Sequence, residues 1–204
     1  MKVIFFDIDT INDFMNKDGA LYVPFAETIK PVLAEITSFS VEKNIVVIDI
    51  CDCHKKDDLE ISDTPDFKTT FPPHAMDGTS GCFMIDETYR PIANSRNGLN
   101  FYLPKNQVNV FDGKSGKQIE IILDAYKPDF VVVYGVAADF CVDRAVEGLL
   151  ARGIKVFVVN DATVPINTDD FPRLLFRWID DGAIIAKWSS IRNLLLLRQD
   201  DNKL

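Results

Sequence analysis

Histidine is nearly missing from this chain: His54 and His74 are its two examples in 204 residues. Any imidazole chemistry must run through one of those positions. Basic stretches are missing too. The net charge is −9 at pH 7. An acidic chain repels phosphate backbones and anionic lipid, so nucleic acid and membrane surfaces are poor partners. No apolar run approaches the ~20 residues that cross a bilayer. The opening "MKVIFFDIDT" meets charge too soon for a signal peptide and reads as a first strand. Cysteine is scarce, and Cys51, Cys53, Cys82 and Cys141 show no CxxC spacing. Reduced thiols and a cytoplasmic location are the expectation. Repeats, low-complexity tracts and domain boundaries are absent, so residues 1–204 are expected to form one domain.

What is present is apolar and periodic. Hydrophobic residues make up 47% of the chain, enough for a sizeable core. Near-continuous apolar runs at 2–8, 44–50, 129–135, 154–160 and 182–188 suit parallel strands buried on both faces. Helical segments alternate with them. One is read from Pro31, with proline in its first turn. One follows Ser115 as N-cap. One begins at about Cys141 and ends at Gly153, one ends at Gly182, and one closes the chain. Alternating β and α predicts a three-layer α/β/α fold around a mostly parallel, Rossmann-like sheet. Between residues 51 and 115 the pattern breaks into loops rich in Asp, Pro, Gly and Thr. Such a long irregular stretch reads as functional, with one or two short strands inside it.

Three constellations carry chemistry. The first is Asp7-Ile-Asp9 after the opening strand. It fits the first two acids of a dehalogenase-type phosphatase, but Ile11 occupies the position that needs a hydroxyl or small β-branched residue, and no later acidic pair follows. The second is "CDCH" after the strand at 44–50, with His74 in "FPPHAMDGTSG". Residues two apart on extended backbone point the same way, so Asp52 and His54 form a carboxylate–imidazole pair. With His74 they would make three ligands of an open metal site. Glu60, Asp57, Asp58 and Asp63 are candidates for a fourth. The plain alternative is a surface pair and a turn histidine.

The third is Cys141, in "VVVYGVAADFCVDRAVEGLLARG". It sits where a strand gives way to a helix start, so the helix dipole would favour thiolate and free N–H groups could form an oxyanion hole. A cysteine packed in the core reads equally well. If both histidines hold metal, an aspartate must act as base. Asp9 lies at the carboxyl end of a strand, where crevices open in parallel sheets. Lys105, in "LPKNQVNVFDG" before a strand-like run, is a candidate cation.

Together, "FDIDTINDFM", "CDCH", "FPPHAMDGTSG", "LPKNQVNVFDG" and "GVAADFCVDRAVEGLLARGIKVFVVNDA" resemble the isochorismatase-like cysteine hydrolases, most closely the nicotinamidase branch, over about residues 3–165. The resemblance implies a catalytic triad of Cys141, Asp9 and Lys105, and a cis peptide before Ala137. It implies an oxyanion site from the N–H groups of Ala137 and Cys141, and ring stacking by Phe14 and Phe71. The metal segments imply a divalent ion on Asp52, His54 and His74, with Glu60 as a possible addition. Zinc leads, with iron or manganese as alternatives. A small-molecule amide is the expected substrate, and a homo-oligomer the expected assembly. Ile11, Ala75 and Ala138 depart from the residues usual in the family. Two other readings follow from that: the same triad acting on a ureido compound or vinyl ether, and a non-catalytic binding scaffold.

Overall fold

The computed structural model describes residues 1–90 and 100–200. Residues 91–99, part of the irregular span, lie outside the described residues. Six strands are described: β1 (Val3–Ile8), β2 (Val46–Asp52), β3 (Asn100–Lys105), β4 (Phe130–Gly135), β5 (Val156–Thr163) and β6 (Ile184–Ala186). They form one sheet in the order β3-β2-β1-β4-β5-β6, and every pairing is parallel. β1, β2 and β4 are buried along their whole length. Their unbroken apolar runs follow from helices covering both faces.

Two cores result. On one face, Phe5, Val47 and Val132 pack against Leu33, Ile36 and Phe39 of α2 (Ala26–Lys43) and Ile191 and Leu195 of α6 (Trp188–Asp200). On the other, Ile4, Ile48 and Val133 pack against α3 (Gly113–Tyr126), α4 (Asp143–Ala151) and α5 (Phe171–Asp180). A short α1 (Asn12–Met15) follows β1. No helix among the described residues is long and apolar enough to cross a membrane.

Four boundaries differ from expectation. The second helix starts at Ala26, so Pro31 lies inside it and not in its first turn. Its N-cap is Phe25 in a left-handed conformation, with no side-chain cap to signal the start. Ser115 is likewise inside α3, whose N-cap is Asp112. The Ser115 hydroxyl instead donates to the Pro104 carbonyl, at 2.5 Å. Lys105 does not precede a strand; it ends β3, a sixth strand inside the irregular span. β3 carries Pro104, and an edge position is where a sheet tolerates proline. Finally, Cys141 lies in a π-helical turn, Ala138–Val142, ahead of α4.

The sheet order reverses beside β1, because β2 and β3 lie on one side and β4 to β6 on the other. A crevice at the carboxyl ends of the strands is the expected consequence. Asp9, Asp52, Lys105 and Ala137 all stand there, each at or within two residues of a strand's last residue. β1 and β4 approach closely at this end. A Cβ on Gly135 would lie 2.0 Å from the Ile8 carbonyl oxygen, and its φ is +114°, so only glycine fits.

Candidate active site and metal centre

Register brings the first polar groups together. Asp52 and Lys105 are direct partners across β2 and β3. The Lys105 ammonium donates to Asp52 Oδ1, stands 2.8 Å from Asp9 Oδ2, and lies 3.3 Å from Cys141 Sγ. Asp9 Oδ1 accepts the Asp52 N–H at 2.7 Å. Lys105 thus bridges the Asp9 carboxylate and the Cys141 sulfur. Lys105 is 1% exposed and Asp9 fully buried. The three residues from distant parts of the chain are therefore within reach of one another.

Their charge states follow from the surroundings. Burial works to lower Lys105, but Asp52 and Asp9 outweigh it and hold the ammonium well above its ordinary range. Burial, then the charge of Asp52, push Asp9 up to about 6 against the pull of Lys105. Burial, then the charge of Asp9, raise the Cys141 thiol well above its usual value. This corrects the helix-dipole expectation. In its buried π-helical turn the surroundings favour the Cys141 thiol over the thiolate, with the Asp9 carboxyl group beside it.

A second cluster shares Asp52. His54 Nε2 is 3.6 Å, and His74 Nε2 3.7 Å, from Asp52 Oδ2. Backbone bonds hold the two histidine segments side by side: the His54 N–H donates to the Ala75 carbonyl at 2.9 Å and the Asp77 N–H to the His54 carbonyl at 2.8 Å. Asp13 braces the same turn by accepting the Ala75 N–H at 2.7 Å. His74 Nδ1 donates to the Pro72 carbonyl at 2.7 Å, which in the neutral ring makes Nε2 the nitrogen free to ligate. Both nitrogens of the fully buried His54 lack a hydrogen-bond partner among the described residues. Two imidazoles and a carboxylate converging in a dry interior form a donor set that a cation would complete. Each of the three residues offers one ligand atom, and these atoms lie within 4.8 Å of one another. Two nitrogens and one oxygen suit zinc or a similar divalent ion, and three protein donors leave a position open. Burial would raise Asp52, but Lys105 and the two imidazoles outweigh it and hold its carboxyl well below the usual range. It is thus a carboxylate available to a metal.

Glu60 is not part of this cluster. It lines the adjoining cleft with Oε1 on the Val108 N–H at 2.7 Å. Asp58 stands behind His54, with Oδ2 3.6 Å from Nδ1.

A small cleft adjoins both clusters. Phe14, Phe71 and Phe140 wall it, with Cys141, Asp52 and His74 at its base. The ring of Phe14 lies 5.5 Å and that of Phe71 6.0 Å from the His74 ring. Phe140 packs edge-on to Phe71 at 5.7 Å. The sequence reading missed Phe140, although it directly precedes Cys141. Ile166 also lines the cleft. It is held by Asp139, whose oxygens accept the N–H groups of Ile166 at 2.9 Å and Asn167 at 2.8 Å. The Val136–Ala137 peptide is cis. The Ala137 N–H meets no acceptor among the described residues, and Ala137 lines the cleft beside Cys141.

Comparison with known proteins places these features in context. An isochorismatase domain model matches residues 3–188. The chain is 27% identical, over 170 residues, to a nicotinamidase/pyrazinamidase of Mycobacterium tuberculosis, covering 79% of this chain and 86% of the relative. A pyrazinamidase/nicotinamidase structure from Streptococcus mutans superimposes with a TM-score of 0.78 at 25% identity, covering 91% of this chain and all of the other. A Pyrococcus horikoshii pyrazinamidase, solved in complex with zinc, superimposes with a TM-score of 0.76 at 22% identity, covering 92% of this chain and all of the other.

Proposed function

The chain belongs to the isochorismatase-like hydrolase family, and on that premise we propose that it hydrolyses a small aromatic carboxamide, with nicotinamide the leading candidate, to the acid and ammonia. The carrying observation is the Lys105 ammonium lodged between the Asp9 carboxylate and the Cys141 thiol at the base of an aromatic-walled cleft.

Asp9 takes the Cys141 proton as sulfur attacks the amide carbonyl. Lys105 offsets the negative charge that arises on sulfur, which a buried thiol cannot carry unaided. The N–H groups of Ala137 and Cys141 receive the oxyanion; losing one such donor costs about 10²–10³ in rate. Protonated Asp9 then returns its proton to the departing nitrogen, and ammonia leaves a thioester on Cys141. Asp9 next draws a proton from water, which attacks the thioester; the C–S bond breaks, the acid leaves, and the Cys141 sulfur takes the proton back from Asp9. Asp52, His54 and His74 would hold a divalent ion, with zinc favoured by the donor set. That ion, when bound, supplies Lewis-acid attraction for a ring nitrogen or for water beside the ring. Phe14 and Phe71 flank a planar ring. The cleft's nearby carboxylates leave neutral amides unopposed. The same residues suit a cytoplasmic, reduced setting, since an oxidised Cys141 could not attack.

A substrate panel tests this reading. Ammonia release from nicotinamide, lost on chelation and restored by zinc, is expected. Turnover confined to ureido acids or vinyl ethers, or unaffected by chelation, would overturn the substrate or metal assignment respectively.

A further inference from the structure

Asp7 is left over by the amidase reading, yet it is fully buried. Alternation along β1 turns it away from the core that holds Ile8 and towards α2. There it meets Arg90, which reaches in from the turn after Ile85. The Arg90 guanidinium donates to Asp49 Oδ1 at 2.5 Å, to Asp7 Oδ2 at 3.2 and 3.3 Å, and to the Tyr134 hydroxyl at 3.0 Å. It also reaches the hydroxyls of Thr37 and Ser40 on α2, each at 3.4 Å. One cation and two carboxylates in a dry core are a costly filling compared with apolar side chains. Their effect is geometric: they pin β1, β2, β4, α2 and the 85–90 turn to one point.

The other Asp7 oxygen leads to the active site. Oδ1 accepts the Thr10 hydroxyl at 2.7 Å, and Thr88 Oγ1 lies 2.8 Å from the same hydroxyl. The Thr10 carbonyl accepts the Ile85 N–H at 3.0 Å. Thr10 is therefore fixed by side chain and backbone together. Its neighbour Asp9 has φ +54°, a left-handed conformation uncommon outside glycine and held only where the surroundings enforce it. On its other side, the Asp9 N–H is tied to the Ile50 carbonyl at 2.9 Å.

We propose that Thr10, anchored through Asp7 to Arg90, is a positioning residue that holds the left-handed Asp9 turn and so aims the Asp9 carboxylate at Lys105 and Cys141. The kinetic half of this claim rests on Asp9 being the proton acceptor of the amidase reading; the geometric half does not.

Thr10→Val removes the hydroxyl and keeps the branched shape, while Thr10→Ser keeps the hydroxyl. A displacement on the order of 1 Å can cost about 10²-fold in rate. Thr10→Val is therefore expected to lower kcat for nicotinamide about 10- to 100-fold with KM unchanged, and Thr10→Ser to stay within about threefold of wild type. Crystal structures of both variants supply the readout that needs no turnover. In Thr10→Val the Asp9 carboxylate should withdraw from Lys105 by ~0.5–1 Å, and in Thr10→Ser it should remain in place. An unmoved Asp9 in Thr10→Val, or equal kcat losses in both variants, overturns the proposal. A wild type that releases no ammonia refutes the amidase reading, and the structures still decide the positioning claim. If Thr10→Val does not fold, Thr88→Val removes the partner beyond the same hydroxyl. An Asp9 carboxylate shifted away from Lys105 in its crystal structure then supports the proposal, whereas an unmoved Asp9 overturns it.

Discussion

Replacing Lys105 by methionine removes the cation between Asp9 and Asp52 while keeping most of the side chain's volume. Both carboxylates are buried, and Lys105 is a partner of each. Breaking a buried ion pair from one side costs about 3–5 kcal/mol, because the remaining charge is left uncompensated. For a chain of this size each kcal/mol moves Tm by about 2–4 °C, so the metal-free variant should melt about 6–20 °C below wild type at pH 8. The sign of the pH dependence is fixed. Lys105 lowers both carboxyl pKa values, so removing it raises them in the folded state. A carboxyl raised in the folded state is stabilising when protonated, and that benefit is lost as pH rises. The deficit should thus be smaller at pH 5 than at pH 8. Zinc should narrow it further by giving Asp52 a second counter-charge. Denaturation melts at both pH values, with and without chelator, measure all of this. A Lys105→Met protein melting within about 2 °C of wild type at pH 8 would refute the reasoning.

Other consequences are quicker to state. His54→Ala should abolish tight zinc binding in competition titrations against a chromophoric chelator, since it removes one of three donors; undiminished affinity would contradict the assigned ligands. Burial, opposed by Arg90 and reinforced by Asp7, pushes Asp49 up to about 7. Its contribution to stability is present below pH ~4 and lost as pH rises through about 7, on the order of 4 kcal/mol at most. Asp49→Asn leaves a balanced Arg90–Asp7 pair and should flatten the wild-type fall in stability between pH 5 and 8, as read from urea midpoints.

The extent to which this molecule is readable from its sequence varies with the range of the interactions involved. β1, β2 and β4 are buried on both faces, so their apolar runs announce them. The start of α2 is hidden because Phe25 caps it through its backbone, while Pro31 draws attention to the wrong turn. β3 is hidden because Pro104 interrupts its pattern, and an edge strand tolerates that. Cys141, Asp9, Asp52, His54 and His74 stand out through their residue types beside strand ends. What surrounds them does not. Asp7 finds Arg90 across 83 residues, and no local spacing in "TYRP" marks that arginine as buried. The preference of Cys141 for the thiol is also hidden, because the helix start is legible locally whereas burial, and then the charge of Asp9, come from the tertiary packing.

The most direct test of the account is ammonia release from nicotinamide by zinc-loaded wild type and by Cys141→Ala at equal concentration. Turnover by the wild type with a loss of at least about 10³-fold in the variant is predicted for a nucleophile that forms the intermediate. Comparable rates from the two proteins would contradict it.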